Sequence, residues 1–199
     1  MSVSQARDNY ARMHAGFGWQ VPQRFNIAQA CCGRWAQRPD AAQRIAIRAH
    51  GAGAGSQCLS YRELQRRANA TSQLLVSLGV RRGDRVAIVM PQRFETAIAY
   101  MAVFQLGAVA MPLSILFGPD ALEYRLQDSE AVVALCDGSS IANVLEVRAQ
   151  CPALRTVIGI AEAAERADIG YEAELARHGS EFTAAPTKAD EGAVLIYTS

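Results

Sequence analysis

Short, almost wholly apolar runs recur along the middle of the chain, at Arg85 to Met90, Ala108 to Met111, Ala131 to Cys136 and Arg155 to Ile160. Their centres fall roughly 23 to 24 residues apart, which leaves room for a helix and two turns between successive strands. Apolar residues follow one another within each run instead of alternating with polar ones. That is the pattern of strands covered on both faces, and it predicts an α/β chain with a largely parallel β-sheet flanked by helices. A last run, Ala193 to Tyr197, predicts one more buried strand after the lead-in Thr187 to Gly192.

The intervening segments carry helix signals. Ser60-Tyr61-Arg62-Glu63 predicts a capping box in which the Ser60 hydroxyl and the Glu63 carboxylate satisfy exposed N–H groups reciprocally. Leu64, Ala68, Thr71, Leu75 and Leu78 then share one face, and Gly79 supplies the stop. Glu95 to Leu106 is apolar all round and predicts a buried helix closed by Gly107. Pro119-Asp120 opens another helix with proline in its first turn, and Ser139 or Ser140 is placed to cap the next. Upstream, Ile45 to Arg48 and Gln57 to Leu59 predict a hairpin around the glycine loop 51–55. A dinucleotide-binding loop would lead straight into a helix, whereas Gln57-Cys58-Leu59 intervenes here before the cap at Ser60.

Thr96 to Pro119 contains no charged residue and exceeds the roughly 20 residues needed to cross a bilayer. Gln105, Gly107, Pro112, Gly118 and Pro119 interrupt it where a helix-to-strand-to-helix passage through a core breaks, so it reads as core and not as an integral membrane segment. A chain of 199 residues, half of them hydrophobic, is long enough to bury such a core. A formal charge of +1 provides no overall field to recruit nucleic acid or an anionic membrane. Five cysteines, odd in number and without a CxxC pair, fit a reducing compartment, and the first thirty residues lack the apolar core of a secretory signal; both point to the cytoplasm.

Chemistry concentrates at the end of the last run. Tyr197-Thr198-Ser199 stands where open α/β sheets place ligand-binding loops, and its hydroxyls are either phosphate donors or ordinary turn and cap residues. His14, His50 and His178 are scattered without a neighbouring acid or nucleophile. Arg62, Arg66, Arg67, Arg81, Arg82 and Arg85 form a basic region that Glu63 and Asp84 punctuate, the pattern of a solvated face and not of a nucleic-acid groove. Cys31-Cys32 falls in a predicted helix as packing.

The sequence Asp190 to Ser199, DEGAVLIYTS, resembles the run leading into the phosphate loop of the adenylate-forming superfamily, in particular its short- and medium-chain acyl-CoA synthetases. Further matches come in the same order. Leu59-Ser60-Tyr61-Arg62-Glu63-Leu64 resembles the family's first core motif, and Gln105 to Pro112, QLGAVAMP, its second. Phe25-Asn26-Ile27-Ala28 with Arg34-Trp35-Ala36, and Leu116 to Leu122, LFGPDAL, are similar to the acetyl and medium-chain branch. The resemblance implies the first α/β part of a truncated large N-terminal domain, over 1–199, with a helical leader at about 1–44, a hairpin at 45–60 and the α/β layer at 61–199.

It also implies an acid:CoA ligase that uses ATP with Mg2+ and CoA, joins a small carboxylic acid to the thiol through an acyl-adenylate, and depends on the missing remainder of its own domain as a packing partner. Thr198 and Ser199 then begin the ATP phosphate loop. Phe117 and Gly118 match a position on the CoA side, although a phenylalanine closing the sheet edge accounts for Phe117 equally well. No catalytic residue and no metal ligand is assigned within these 199 residues, which are expected to be inactive alone. The alternatives are adenylation of an amino or aromatic acid, transfer to a carrier protein, and a non-catalytic doubly wound binding domain.

Overall fold

The computed structural model describes residues 9–51 and 54–198, so the tip of the glycine loop at 52–53 and Ser199 lie outside the described residues. Helix α1 (Asn9–Gly16) and a π-type turn (Gln29–Gly33) running into α2 (Arg34–Ala36) precede an antiparallel hairpin, β1 (Ile45–Gly51) and β2 (Ala54–Ser60). The chain then enters α3 (Tyr61–Ser77) and winds through β3 (Arg85–Val89), α4 (Phe94–Leu106), β4 (Val109–Pro112), α5 (Pro119–Ser129), β5 (Val133–Cys136), α6 (Ile141–Val147) and β6 (Thr156–Gly159). A 3-10 turn (Ala161–Glu165), β7 (Ile169–Gly170) and α7 (Tyr171–Leu175) follow. All five strands β3 to β7 pair in parallel, in the order β4-β3-β5-β6-β7.

Period-two geometry splits each consecutive apolar run between two cores. Val86 and Ile88, with Val133, Leu135 and Ile158, face Leu74, Leu75, Val103 and Phe104 of α3 and α4. Ala87 and Val89, with Ala134, Cys136 and Val157, face Leu122 and Leu126 of α5 and Ile141 and Val144 of α6. Both faces of the sheet are therefore covered, which is why these strands carry no polar alternation. A third cluster, Cys32, Leu59, Leu64, Ala68 and Ile98, seats the hairpin on α3 and α4.

The stop signals act as the sequence implies. Gly79 and Gly107 take left-handed φ values of +77° and +73°, and the expected face of α3 is buried except for half-buried Leu78. No helix among the described residues is long and apolar enough to cross a membrane.

The capping box is only half formed. Ser60 Oγ accepts from the Glu63 N–H at 3.2 Å, but the Glu63 carboxylate turns along the helix to Arg66 and Arg67, each at 2.7 Å. The Arg66 hydrogen bond, against the opposing effect of partial burial and with help from Arg67, holds Glu63 down from 4.5 to about 2. The folded value lies below the unfolded one, so the stabilisation is complete above 4.5 and fades as pH falls toward 2. The gap in thermal midpoint between wild type and Glu63→Gln should accordingly close across that window, by an amount typical of exposed pairs, about 0.2–1 kcal/mol. Parallel loss in both proteins would discard the ion-pair assignment.

The predicted cap at Ser139 or Ser140 is also different in detail. Asp137 Oδ1 takes the Ser139 N–H at 3.0 Å, while the Ser140 hydroxyl donates to the Val89 carbonyl and ties β3 to α6. Two elements after Ile160, β7 and α7, went unpredicted because a two-residue strand leaves no periodicity to read.

The largest departure concerns Ala193 to Tyr197. It is not a buried strand but an extended segment joined to β4 by one bridge, with Val194 40% and Ile196 65% exposed. The Ala110 N–H donates to the Ala193 carbonyl at 2.9 Å, and the Leu195 N–H donates to the Ala110 carbonyl at 3.0 Å. The next rung needs an N–H from residue 112, which is proline, so the ladder stops. Ala193, Leu195 and Tyr197 pack inward while Val194 and Ile196 face out, an alternation with one covered face.

Candidate functional site

Strand order places the direction change between β3 and β5, and open α/β sheets bind ligands outside the carboxyl ends at such a point. Three loops meet there: 90–93 after β3, 113–118 after β4 and 137–140 after β5. Arg93 joins two of them, with Nε 2.7 Å from Glu95 Oε2 and Nη1 3.3 Å from the nearly buried Asp137 Oδ2. Asp137 also accepts from the Ser139 hydroxyl at 2.5 Å, so its carboxylate is held from both sides. This crossing ion pair fixes the loop spacing on either side of the crevice.

Helix α5 builds the other wall. Pro119 in its first turn sets the helix direction, Gly118 precedes it in extended backbone with φ −71°, and a side chain at Gly118 would meet nothing within 4 Å. Phe117 is half-buried, with its ring 4.1 Å from the Arg125 guanidinium carbon and its carbonyl accepting from Asn143 Nδ2 at 3.3 Å. The same guanidinium lies 5.6 Å from the Tyr197 ring, and the Tyr197 hydroxyl donates to Asp128 at 2.6 Å. Partial burial, reinforced by the Asp128 carboxylate that accepts its proton, pushes the Tyr197 phenol up to about 12.

Arg125 thus bridges the loop after β4 and the 193–198 segment, bringing together the regions of two sequence-predicted sites. Nothing flagged Arg125 in the sequence, where it is one of several charges on an amphipathic helix. Its partners, Phe117 and Tyr197, lie eight residues before it and seventy-two after it.

Thr198 is exposed just past the carboxyl end of this segment, and Ser199 lies outside the described residues. Phe117 packs with the cluster beneath α5 and α6 while keeping one edge open. The histidines stay apart: His14 sits on α1, His50 on β1 and His178 beyond α7. The basic region is largely paired, Arg66 and Arg67 with Glu63, Arg82 with Glu191 and Arg85 with Glu130.

Known proteins resemble this chain in sequence and in fold. The acetyl-coenzyme A synthetase of Streptomyces coelicolor is 37% identical over 121 residues, 60% of this chain and 18% of that protein. The long-chain-fatty-acid–CoA ligase FadD15 of Mycobacterium bovis is 40% identical over 129 residues, 63% of this chain and 22% of that protein. A solved acyl-CoA synthetase of Brucella canis superposes with a TM-score of 0.80 at 23% identity, covering 98% of this chain and 35% of that one, and establishes the shared fold. The chain therefore spans about a fifth of the length of these two curated relatives. The family model described as AMP-binding enzyme matches residues 33–199, and the chain belongs to that family.

Proposed function

We propose that the chain is part of an ATP-dependent carboxylic acid:CoA ligase. In the first step a carboxylate oxygen attacks the α-phosphorus of Mg–ATP, forming the acyl-adenylate as the bond to pyrophosphate breaks. In the second the CoA thiol gives up its proton and attacks the acyl carbonyl, and the C–O bond to AMP breaks. Both steps move charge along a polyanion, so donors fixed around the phosphates supply most of the assistance. Within this chain Thr198, with Ser199, contributes the beginning of that cradle, and Phe117 and Gly118 face the CoA side. Residues 1–199 are read as part of the large N-terminal domain, in a cytoplasmic enzyme. The reading rests on one observation above all: the segment leading to Thr198 is bridged to β4 at Val194 and runs parallel to it toward the carboxyl end of the sheet, in a chain that matches the AMP-binding enzyme family.

Pyrophosphate release in the presence of ATP and a panel of carboxylic acids tests the assignment. The 199-residue chain alone is expected to release none, because only the start of the phosphate cradle is present. Clear turnover by it would overturn this division of labour. The codons after Ser199 are expected to encode Gly-Thr-Thr-Gly or a close variant, with Pro-Lys soon after; a stop codon there would favour a non-catalytic binding domain.

A further inference from the structure

At the opposite end of the sheet, where β4 begins, a second cavity of about 270 Å³ opens between the leader, the end of α4 and the 187–193 segment. Phe25, Ile27, Phe104 and Ala108 provide apolar walls, and Lys188 stands on the lining. Lys188 is the only lysine in the sequence. The neighbouring acid, Glu191, already has three partners: Arg82 Nε reaches Oε2 at 2.6 Å, Arg82 Nη2 reaches Oε1, and the Lys188 backbone N–H donates to Oε1 at 2.8 Å. Among the described residues no carboxylate lies within ion-pair distance of the Lys188 ammonium; Glu191, also on the lining, feels its charge only through space, so the slot carries one cation without a direct ion-pair partner.

We infer that this cavity binds a small amphipathic monoanion, an alkyl or aryl carboxylate, with its tail between Phe25 and Phe104 and its head on Lys188. The volume is near the lower end of small-molecule sites, about 300 Å³, which suits a short chain or a single ring and not a nucleotide. Charge selects the ligand class. Arg82 and Glu191 cancel each other, so Lys188 leaves a net positive charge beside an apolar interior. The Thr187 hydroxyl is spent on the Phe25 carbonyl at 2.7 Å and adds no competing polar demand. The site lies at the amino end of β4, remote from Phe117 and Thr198, so an acid bound there would not occupy the catalytic crevice.

Sodium octanoate titrated into the 15N-labelled 199-residue chain, with octan-1-ol as the uncharged probe, tests the inference. Saturable shifts are expected at the amides of Gly107, Ala108, Gly192 and Ala193, and octan-1-ol should bind about fivefold more weakly than octanoate. Lys188→Met should weaken octanoate binding about fivefold, whereas Lys188→Arg should stay within about twofold, as expected for a largely exposed charge contact. The Lys188 side chain is exposed, so these variants should remain folded. Absence of saturable shifts at those amides, or octanoate binding that Lys188→Met leaves unchanged, would overturn the site.

Discussion

Gly159→Ala is expected to remove about 3 kcal/mol or more of stability, while the same change at Gly192 should be close to neutral. Gly159 ends β6 between Cys136 of β5 and Gly170 of β7, and the 3-10 turn that follows folds straight back over it. A Cβ there would stand 2.3 Å from the Ala163 carbonyl oxygen and 2.5 Å from its carbon. Both are backbone atoms, so no rotamer change relieves the overlap. The turn is already committed, since Ala161 holds a left-handed φ of +54° and the Ile160 N–H is bonded to the Cys136 carbonyl at 2.9 Å. At Gly192 the added carbon meets nothing within 4 Å. Urea unfolding of both variants decides the matter; equal midpoints would mean that the turn yields and that its contact with β6 contributes little.

That turn also shows why part of the fold could be read in advance and part could not. Strands β3 to β6 were legible because each is two-face buried, which writes the same consecutive apolar pattern wherever it occurs. Helix ends at Gly79 and Gly107 were legible because a left-handed residue is a local demand met by a local choice. The close approach at Gly159 is neither. It arises between a strand and a turn whose position depends on the whole sheet, and a glycine at a strand end looks like any other. The candidate site divides in the same way. Phe117 and Thr198 were reachable through short ordered motifs resembling a family, but the Phe117–Arg125–Tyr197 stack and the Arg93–Asp137 bridge join residues far apart in sequence. The error at Ala193 to Tyr197 has a related origin: its apolar run meets the two-face criterion, yet the outcome depends on Pro112, more than eighty residues upstream.

Gln105→Ala should cost about 3 kcal/mol, and Gln105→Leu, which restores the volume but not the hydrogen bonds, about 1–2 kcal/mol. Gln105 is 2% exposed in the last turn of a largely apolar helix, a placement that needs compensation. Its Nε2 donates to Ser72 Oγ at 2.5 Å, to the Ala68 carbonyl at 3.1 Å and to Asn69 Oδ1 at 3.2 Å, and its Oε1 accepts from Gln65 at 3.1 Å. Asn69, so oriented, donates to the Ser180 carbonyl at 2.7 Å, while the Ala185 N–H donates to the Gln105 carbonyl at 2.7 Å. Asn26 adds a bond to the Ala185 carbonyl at 3.1 Å. Side-chain amides thereby strap the extended 180–187 segment across α3 and α4, in place of the backbone partners a strand would offer. Because this strap leads directly to Lys188 and then to Thr198, loosening it should disturb the approach to both ends of the sheet. Amide exchange at Ala185 should accelerate in both Gln105 variants, and in Asn69→Ala with a smaller loss of global stability. If Gln105→Leu were as stable as wild type and Ala185 as protected, the buried network would be incidental, and the strap would be held by its backbone bond, the Asn26 bond and the packing of Phe182.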